Sequence, residues 1–204
     1  MHSSELIIKI ENYVGTLLSD KTPSVLKFHN LKHTVHVVEK CRELAIEYRI
    51  PESDKFILES AAWFHDTGYI YGKTEHEEQS VKITFDYLKE FNLSADFLLR
   101  LKNLILATRP VTRPATLLEE ILRDADLQHL GSQDYLTWSM LLKEELELQN
   151  NVHLTDSQWN SENIAFFRTH QYNTDKARLL WGDQKQKNLA LMLRIEEPNA
   201  NNKK

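Results

Sequence analysis

His65 and Asp66 stand side by side at the end of the apolar segment Ala61-Ala62-Trp63-Phe64, and Thr67-Gly68-Tyr69 follow as a turn. A carboxylate placed there is costly to bury unless something compensates its charge. A divalent cation would do so, and a cation needs further ligands. Upstream, Phe28-His29-Asn30-Leu31-Lys32-His33 offers imidazoles; downstream, Arg123-Asp124-Ala125-Asp126-Leu127-Gln128-His129 offers carboxylates and another imidazole. His33, Val37, Cys41, Leu44 and Tyr48 recur at a three-to-four spacing, so His33 opens the inward stripe of its helix. Leu118, Leu122, Asp126 and His129 repeat the pattern, and Ile57, Ala61, Phe64 and His65 form a third stripe. The set His33, His65, Asp66 and Asp126 supplies nitrogen and oxygen ligands together. That mix suits manganese, iron, cobalt or zinc, with magnesium less natural beside imidazole. One ion or two remain open.

The elements that must carry these groups read as helices. Few Gly and Pro, with abundant Leu, Glu and Lys, predict an all-α chain: a compact multi-helix bundle of about nine helices and no sheet. The first helix is expected over about 4–19. The second runs from about Leu31 to Tyr48, ahead of Pro51, and the third from about Glu52 to His65. A loop over 67–74 follows. A fourth helix covers about 75–91, a fifth about 95–108, stopped by Pro110, and a sixth about 115–130, with Gly131 as its left-handed stop. The seventh begins at Ser132 or Asp134 and reaches about Asn150; the eighth covers about 156–170. Thr174 caps a ninth, which Pro198 ends near Glu196, and the tail from Asn199 is expected to be disordered. The chain reads as a single domain over 1–204, a core of about 24–150 with a C-terminal helical appendage of about 151–196.

Composition narrows the function. The formal charge of -5 argues against a general nucleic-acid binder, so no stable nucleic-acid complex is expected. It leaves room for a small anionic substrate, because a metal and local cations offset the field. The single cysteine, Cys41, falls on an inward stripe as a small buried apolar residue, and one thiol cannot cross-link the chain internally. The start Met1-His2-Ser3-Ser4-Glu5-Leu6 lacks the basic opening and apolar run of a secretion signal, and no segment reaches the roughly 18 continuous apolar residues of a membrane span. A cytoplasmic protein without a membrane partner is expected; an oligomer stays open.

The order His33, His65-Asp66, Asp126 resembles the HD superfamily of metal-dependent phosphohydrolases, whose pattern is a His, a His-Asp pair and a distant Asp on the helices of an α-bundle. An Ala-Asp dipeptide before an apolar helix end is typical of that family's last ligand, which selects Asp126 over Asp124. His76-Glu77-Glu78-Gln79-Ser80 and Asn188-Leu189 are further likenesses. The closest likeness is to stand-alone bacterial members described only as predicted phosphohydrolases. His29-Asn30-Leu31-Lys32-His33 is also similar to the motif of cyclic-nucleotide phosphodiesterases, where the first His protonates the leaving oxygen and the second binds metal. The chain departs from those enzymes after the His-Asp pair, where it has Thr67-Gly68-Tyr69, and it lacks the Gly-Tyr-Pro signature of the cyclic-dinucleotide branch.

The resemblance implies hydrolysis of a phosphate ester, a nucleotide diester or monoester, by attack of metal-activated water on phosphorus. Asp66 would orient that water or bridge a second ion, and His29 would protonate the leaving oxygen, since His titrates near neutral pH. If the second helix has begun by His29, the rings of His29 and His33 lie one turn apart on one face. Developing charge on phosphate needs cations. Lys73, in the loop after the ligand pair, and Arg109 and Arg113, in the loop bounded by Pro110 and Pro114, are the candidates, with His76 placed for the phosphate or a second metal. Asp124 is expected to be exposed or paired with an Arg. Trp63, Tyr69 and Tyr71 flank the site and read mainly as core aromatics. The alternative to an enzyme is a nucleotide-binding sensor or regulator using the same pocket without turnover. Hydrolysis of the alarmone pyrophosphate ranks lower, because the acidic pair Glu77-Glu78 stands too far from the His-Asp pair.

Overall fold

The computed structural model describes residues 3–201. Among these residues there are nine α-helices, two short 3-10 helices and no strand, the all-α architecture read from composition and periodicity. The chain falls into two compact units, one ending at Asp126 and the other beginning at Leu127.

The first unit contains α1 (Ser3–Lys21), α2 (Leu31–Glu47), α3 (Glu52–Phe64), a 3-10 turn (Thr67–Tyr71), α4 (His76–Leu88), α5 (Ala95–Ala107) and α6 (Leu117–Asp126). Its hub is α3, which packs against α1, α2, α4, α5 and α6. The sequence of α3 explains this role. Ser60, Ala61 and Ala62 are small and fully buried, so neighbouring helices approach closely, while Ile57, Leu58, Trp63 and Phe64 fill the space around them. A helix buried on most sides cannot end on charged groups at no cost, and this one ends on His65 and Asp66.

Local capping sets the register of the other carriers. The Asn30 side chain accepts a hydrogen bond from the Lys32 amide at 2.9 Å, and Asn30 itself is extended (φ -139°), so α2 starts at Leu31. His29 therefore lies outside the helix, and the expected one-turn spacing from His33 does not apply. The start of α6 comes later than expected. Thr116 Oγ1 accepts from the Glu119 amide at 3.3 Å while Glu119 reaches back to the Ala115 amide at 2.6 Å, a reciprocal cap that fixes the first turn at Leu117. The Arg123 guanidinium staples the preceding loop, donating to the carbonyls of Ala107 (3.1 Å), Arg109 (2.9 Å) and Thr112. The helix stops at Asp126, short of the expected Leu130, and the chain tightens into a second 3-10 turn (Gln128–Gly131). The segment after Asp66, expected to be a loop, opens with the first 3-10 turn instead.

The second unit holds that second 3-10 turn, α7 (Tyr135–Asn150), α8 (Asp156–Thr169) and α9 (Asp175–Asn201). Leu130, Tyr135, Ile164, Phe167 and Met192 form its core. Asn188 donates from its amide to the carbonyls of Leu130 and Ser132, both at 2.8 Å, and so ties α9 to the end of the 3-10 turn. Gly131 is not the left-handed stop expected, since its φ is not positive. A Cβ there would lie 2.6 Å from the Trp181 carbonyl oxygen and 2.9 Å from the Tyr172 hydroxyl, so close packing demands the glycine. Helix α9 continues to Asn201, past the stop expected at Pro198; a proline removes one helical bond and can be accommodated. Of the tail expected to be disordered, 202–204 lie outside the described residues.

Candidate metal centre

Three helices deliver the candidate ligands. His33 projects from the first turn of α2, His65 and Asp66 follow the end of α3, and Asp126 closes α6. One ligand atom from each of the four lies within 4.8 Å of the others. His33 Nε2 is 3.1 Å from Asp126 Oδ1 and 3.5 Å from Asp66 Oδ2. His65 Nε2 is 3.3 Å from Asp66 Oδ2 and 3.7 Å from Asp126 Oδ1. Both imidazoles are inaccessible, and the Asp126 side chain retains 25 % exposure, the open edge of the group.

The chemistry of these atoms fits a cation. His65 Nδ1 lies 2.8 Å from the Ala62 carbonyl. A carbonyl only accepts, so Nδ1 carries the hydrogen and the Nε2 lone pair faces the cluster. That Nε2 is buried and has no hydrogen-bond partner of acceptable geometry. An orphaned buried acceptor is expensive unless a ligand completes it, and a divalent ion does so while balancing the two carboxylates.

Without a cation, protons hold the charges together. Burial pushes the His33 imidazole down, but the hydrogen bonds and charges of Asp126 and Asp66 outweigh it, so its pKa is raised. Burial opposes protonation of His65 as well, and the charge of Asp66 with the nearby Asp126 carboxylate raises it well above the ordinary value. The carboxylates mirror this. Burial raises Asp66, but the charge of His65 and the close approach of the His33 and His65 imidazoles leave it well below the usual carboxylate range. Asp126 is likewise lowered, with the hydrogen bond from His33 and the nearby His65 imidazole overcoming its burial. A cation would replace these protons.

Around the cluster lie the other groups that the sequence names. His76, at the start of α4, has Nδ1 3.0 Å from the Lys73 carbonyl, so its Nε2 lone pair points elsewhere. That Nε2 is 3.6 Å from Asp66 Oδ1 and 3.5 Å from Glu77 Oε1. Asp66 thus turns one oxygen toward His33 and His65 and the other toward His76. His29 sits with its ring 5.7 Å from that of His33 and stacks on Tyr69 at 4.1 Å. The structure sets Arg109 against Glu78 and 3.8 Å from Glu77 Oε2, so this cation reaches the edge of the site already engaged by acids. Lys73 is exposed and meets the site through its carbonyl, and Arg113 is exposed on its loop. Tyr71 is 71 % exposed, whereas Trp63 is buried.

Two features escape a reading of the sequence. Asp124, expected to be paired with an Arg or exposed, is fully buried on α6, yet it is outside the converging group. Its place three residues after Ile121 puts it at the edge of the apolar stripe, a signal overridden by its polar type. Glu77, which the sequence sets beside His76 as a possible helper, is buried as well, and that burial has no signal in the sequence.

A family model described as HD domain matches residues 30–129. No curated protein and no solved structure matches the chain. Among the described residues no helix is long and apolar enough to cross a membrane. HD domains are generally metal-dependent phosphohydrolases. The matched segment opens at the Asn30 cap, spans the four converging side chains and closes at His129, so residues 30–129 are an HD domain.

Proposed function

We propose that this protein hydrolyses a small phosphate ester, a nucleotide diester or monoester, using a divalent cation held by His33, His65, Asp66 and Asp126. The observation that carries the reading is the convergence of these four within 4.8 Å around a buried imidazole nitrogen, His65 Nε2, that makes no hydrogen bond. A divalent cation bound there supplies Lewis acidity and lowers the pKa of water toward neutrality. His33 and His65 present nitrogen ligands, the latter fixed in one tautomer by Ala62. Asp66, with one oxygen toward the two histidines and one toward His76, is placed to orient the attacking water. His29, at the rim of the cluster, holds the proton that the leaving oxygen needs. His76, oriented by the Lys73 carbonyl, either donates Nε2–H to a phosphate oxygen or turns the Nε2 lone pair to a second ion next to Asp66. Arg109 supplies positive charge at the same edge, in exchange for its contacts with Glu77 and Glu78. Arg113 and Lys73, on exposed loops, are the outer candidates for contact with substrate.

The test is a hydrolysis screen over cyclic nucleotides, nucleoside monophosphates and triphosphates, with manganese, cobalt, nickel and magnesium compared, alongside metal analysis of the untreated protein. The expected result is about one or two equivalents of metal and turnover that disappears in Asp66→Ala. Protein that holds metal and binds nucleotide but leaves every ester intact would instead support the sensor reading.

A further inference from the structure

We propose that Tyr69 is the positioning residue for His29, and that its ring face, in the absence of any helix under His29, keeps the proton donor aimed at the cluster. The inference rests on the reading of His29 as the group that protonates the leaving oxygen. His29 precedes the Asn30 cap and so lies outside α2. Rings surround it instead. Phe28 meets it edge-on at 4.9 Å and 68°, and Tyr69 lies flat on it at 4.1 Å and 12°. His76 lies against Tyr69 at 4.0 Å and 31°. Two rings each about 4 Å from one phenol cannot share a face, so Tyr69 is held between the two histidines.

The origin of the Tyr69 side chain is itself rigid. Its amide donates to the Asp66 carbonyl at 3.0 Å, the Gly68 amide donates to Ser80 Oγ at 2.8 Å, and Thr67 Oγ1 donates to the Phe64 carbonyl at 2.8 Å. Gly68 leaves no room for a Cβ, which would run into the His76 carbonyl. The turn that carries Asp66 therefore also fixes Tyr69, and the Tyr69 ring transmits that position to His29. In the reaction the bond between phosphorus and the leaving oxygen breaks, and that oxygen takes the His29 proton. Water adds its oxygen to phosphorus, and the proton it releases returns through solvent to His29.

A positioned acid matters most when the leaving oxygen is strongly basic. Tyr69→Leu should slow hydrolysis of an alkyl phosphate ester by roughly 10-fold or more, while changing a p-nitrophenyl ester, whose leaving group departs as the anion, by less than about 2-fold. Tyr69→Phe keeps the ring and should restore the alkyl rate. In a His29→Ala background, Tyr69→Leu should cost nothing further on the alkyl ester. A second readout needs no turnover: diethyl pyrocarbonate should acylate His29 several-fold faster in Tyr69→Leu than in the parent or Tyr69→Phe, read by peptide mapping. Equal acylation rates would overturn the positioning role whatever the activity. Equal slowing of alkyl and aryl esters would overturn it too, by making Tyr69 merely structural. Faster acylation in a protein that hydrolyses no ester would uphold the contact and sink only the reaction.

Discussion

Replacing Asp126 with Asn tests the metal reading at its most exposed ligand. The substitution keeps the shape and one oxygen but removes the charge that lies 3.1 Å from His33 Nε2 and 3.7 Å from His65 Nε2. In the metal-free protein it loses a charge-assisted hydrogen bond, worth about 1.5–3 kcal/mol in general and nearer the lower figure here, since the side chain is 25 % exposed. The larger effect should appear with metal present. An ion at 100 times its Kd stabilises the native protein by about 2.7 kcal/mol, and a ligand loss that weakens binding about 100-fold leaves only about 0.4 kcal/mol at the same concentration. At roughly 3–5 °C per kcal/mol for a unit of this size, manganese should raise the parent Tm by roughly 8–14 °C and that of Asp126→Asn by roughly 1–2 °C. Scanning calorimetry with and without manganese measures both. Asp124→Asn is the control: Asp124 is buried on the same helix but stands outside the converging group, so the variant should melt lower yet keep the full manganese increment. Equal increments in the parent and Asp126→Asn would refute the assignment of Asp126, and no increment in the parent would refute the centre altogether.

The raised imidazoles and lowered carboxylates give a signed pH dependence. A His raised on folding stabilises the metal-free protein below its unfolded value of about 6.5 and loses that contribution as pH rises through the folded value; a lowered Asp stabilises above about 3.9 and loses it as pH falls. The cluster should therefore favour the metal-free fold most between about pH 4 and 6.5, while manganese affinity, read by calorimetric titration, should climb with pH by up to roughly 100-fold per unit where two protons are displaced. Gly68→Ala should cost roughly 3 kcal/mol or more in urea unfolding, because its Cβ would strike the His76 carbonyl, whereas Gly15→Ala, with open space in the middle of α1, should gain about 0.5–1 kcal/mol. Arg123→Ala should lose roughly 1.5–3 kcal/mol in the same assay by unfastening the carbonyls of Ala107, Arg109 and Thr112 from α6.

How much of the site the sequence discloses depends on how far each residue's position is set by its own helix. His33 was legible because a helical stripe of Val37, Cys41 and Leu44 must face inward, and the first residue of that stripe goes with it. His65 and Asp66 were legible because a buried helix cannot end on such groups without a reason. Where the position depends on partners distant in sequence, periodicity carries no information. His29 looks like a helical neighbour of His33 until the Asn30 cap removes it from the helix, and it stacks instead on the Tyr69 ring, forty residues away. Arg109 reads as a free loop cation, yet Glu77 and Glu78, favoured at the start of α4 by the helix dipole, claim it. The two ligand-bearing helix ends, at Asp66 and Asp126, each run into a 3-10 turn that no propensity announced. Both turns lie beside carboxylates that a continued α-helix would carry onward through the next turn, and a tighter turn halts the chain at the ligand. The parts of the fold hardest to read are thus the turns that follow the ligand-bearing helix ends, because each is fastened by residues distant in sequence, the first by Ser80 and the second by Asn188.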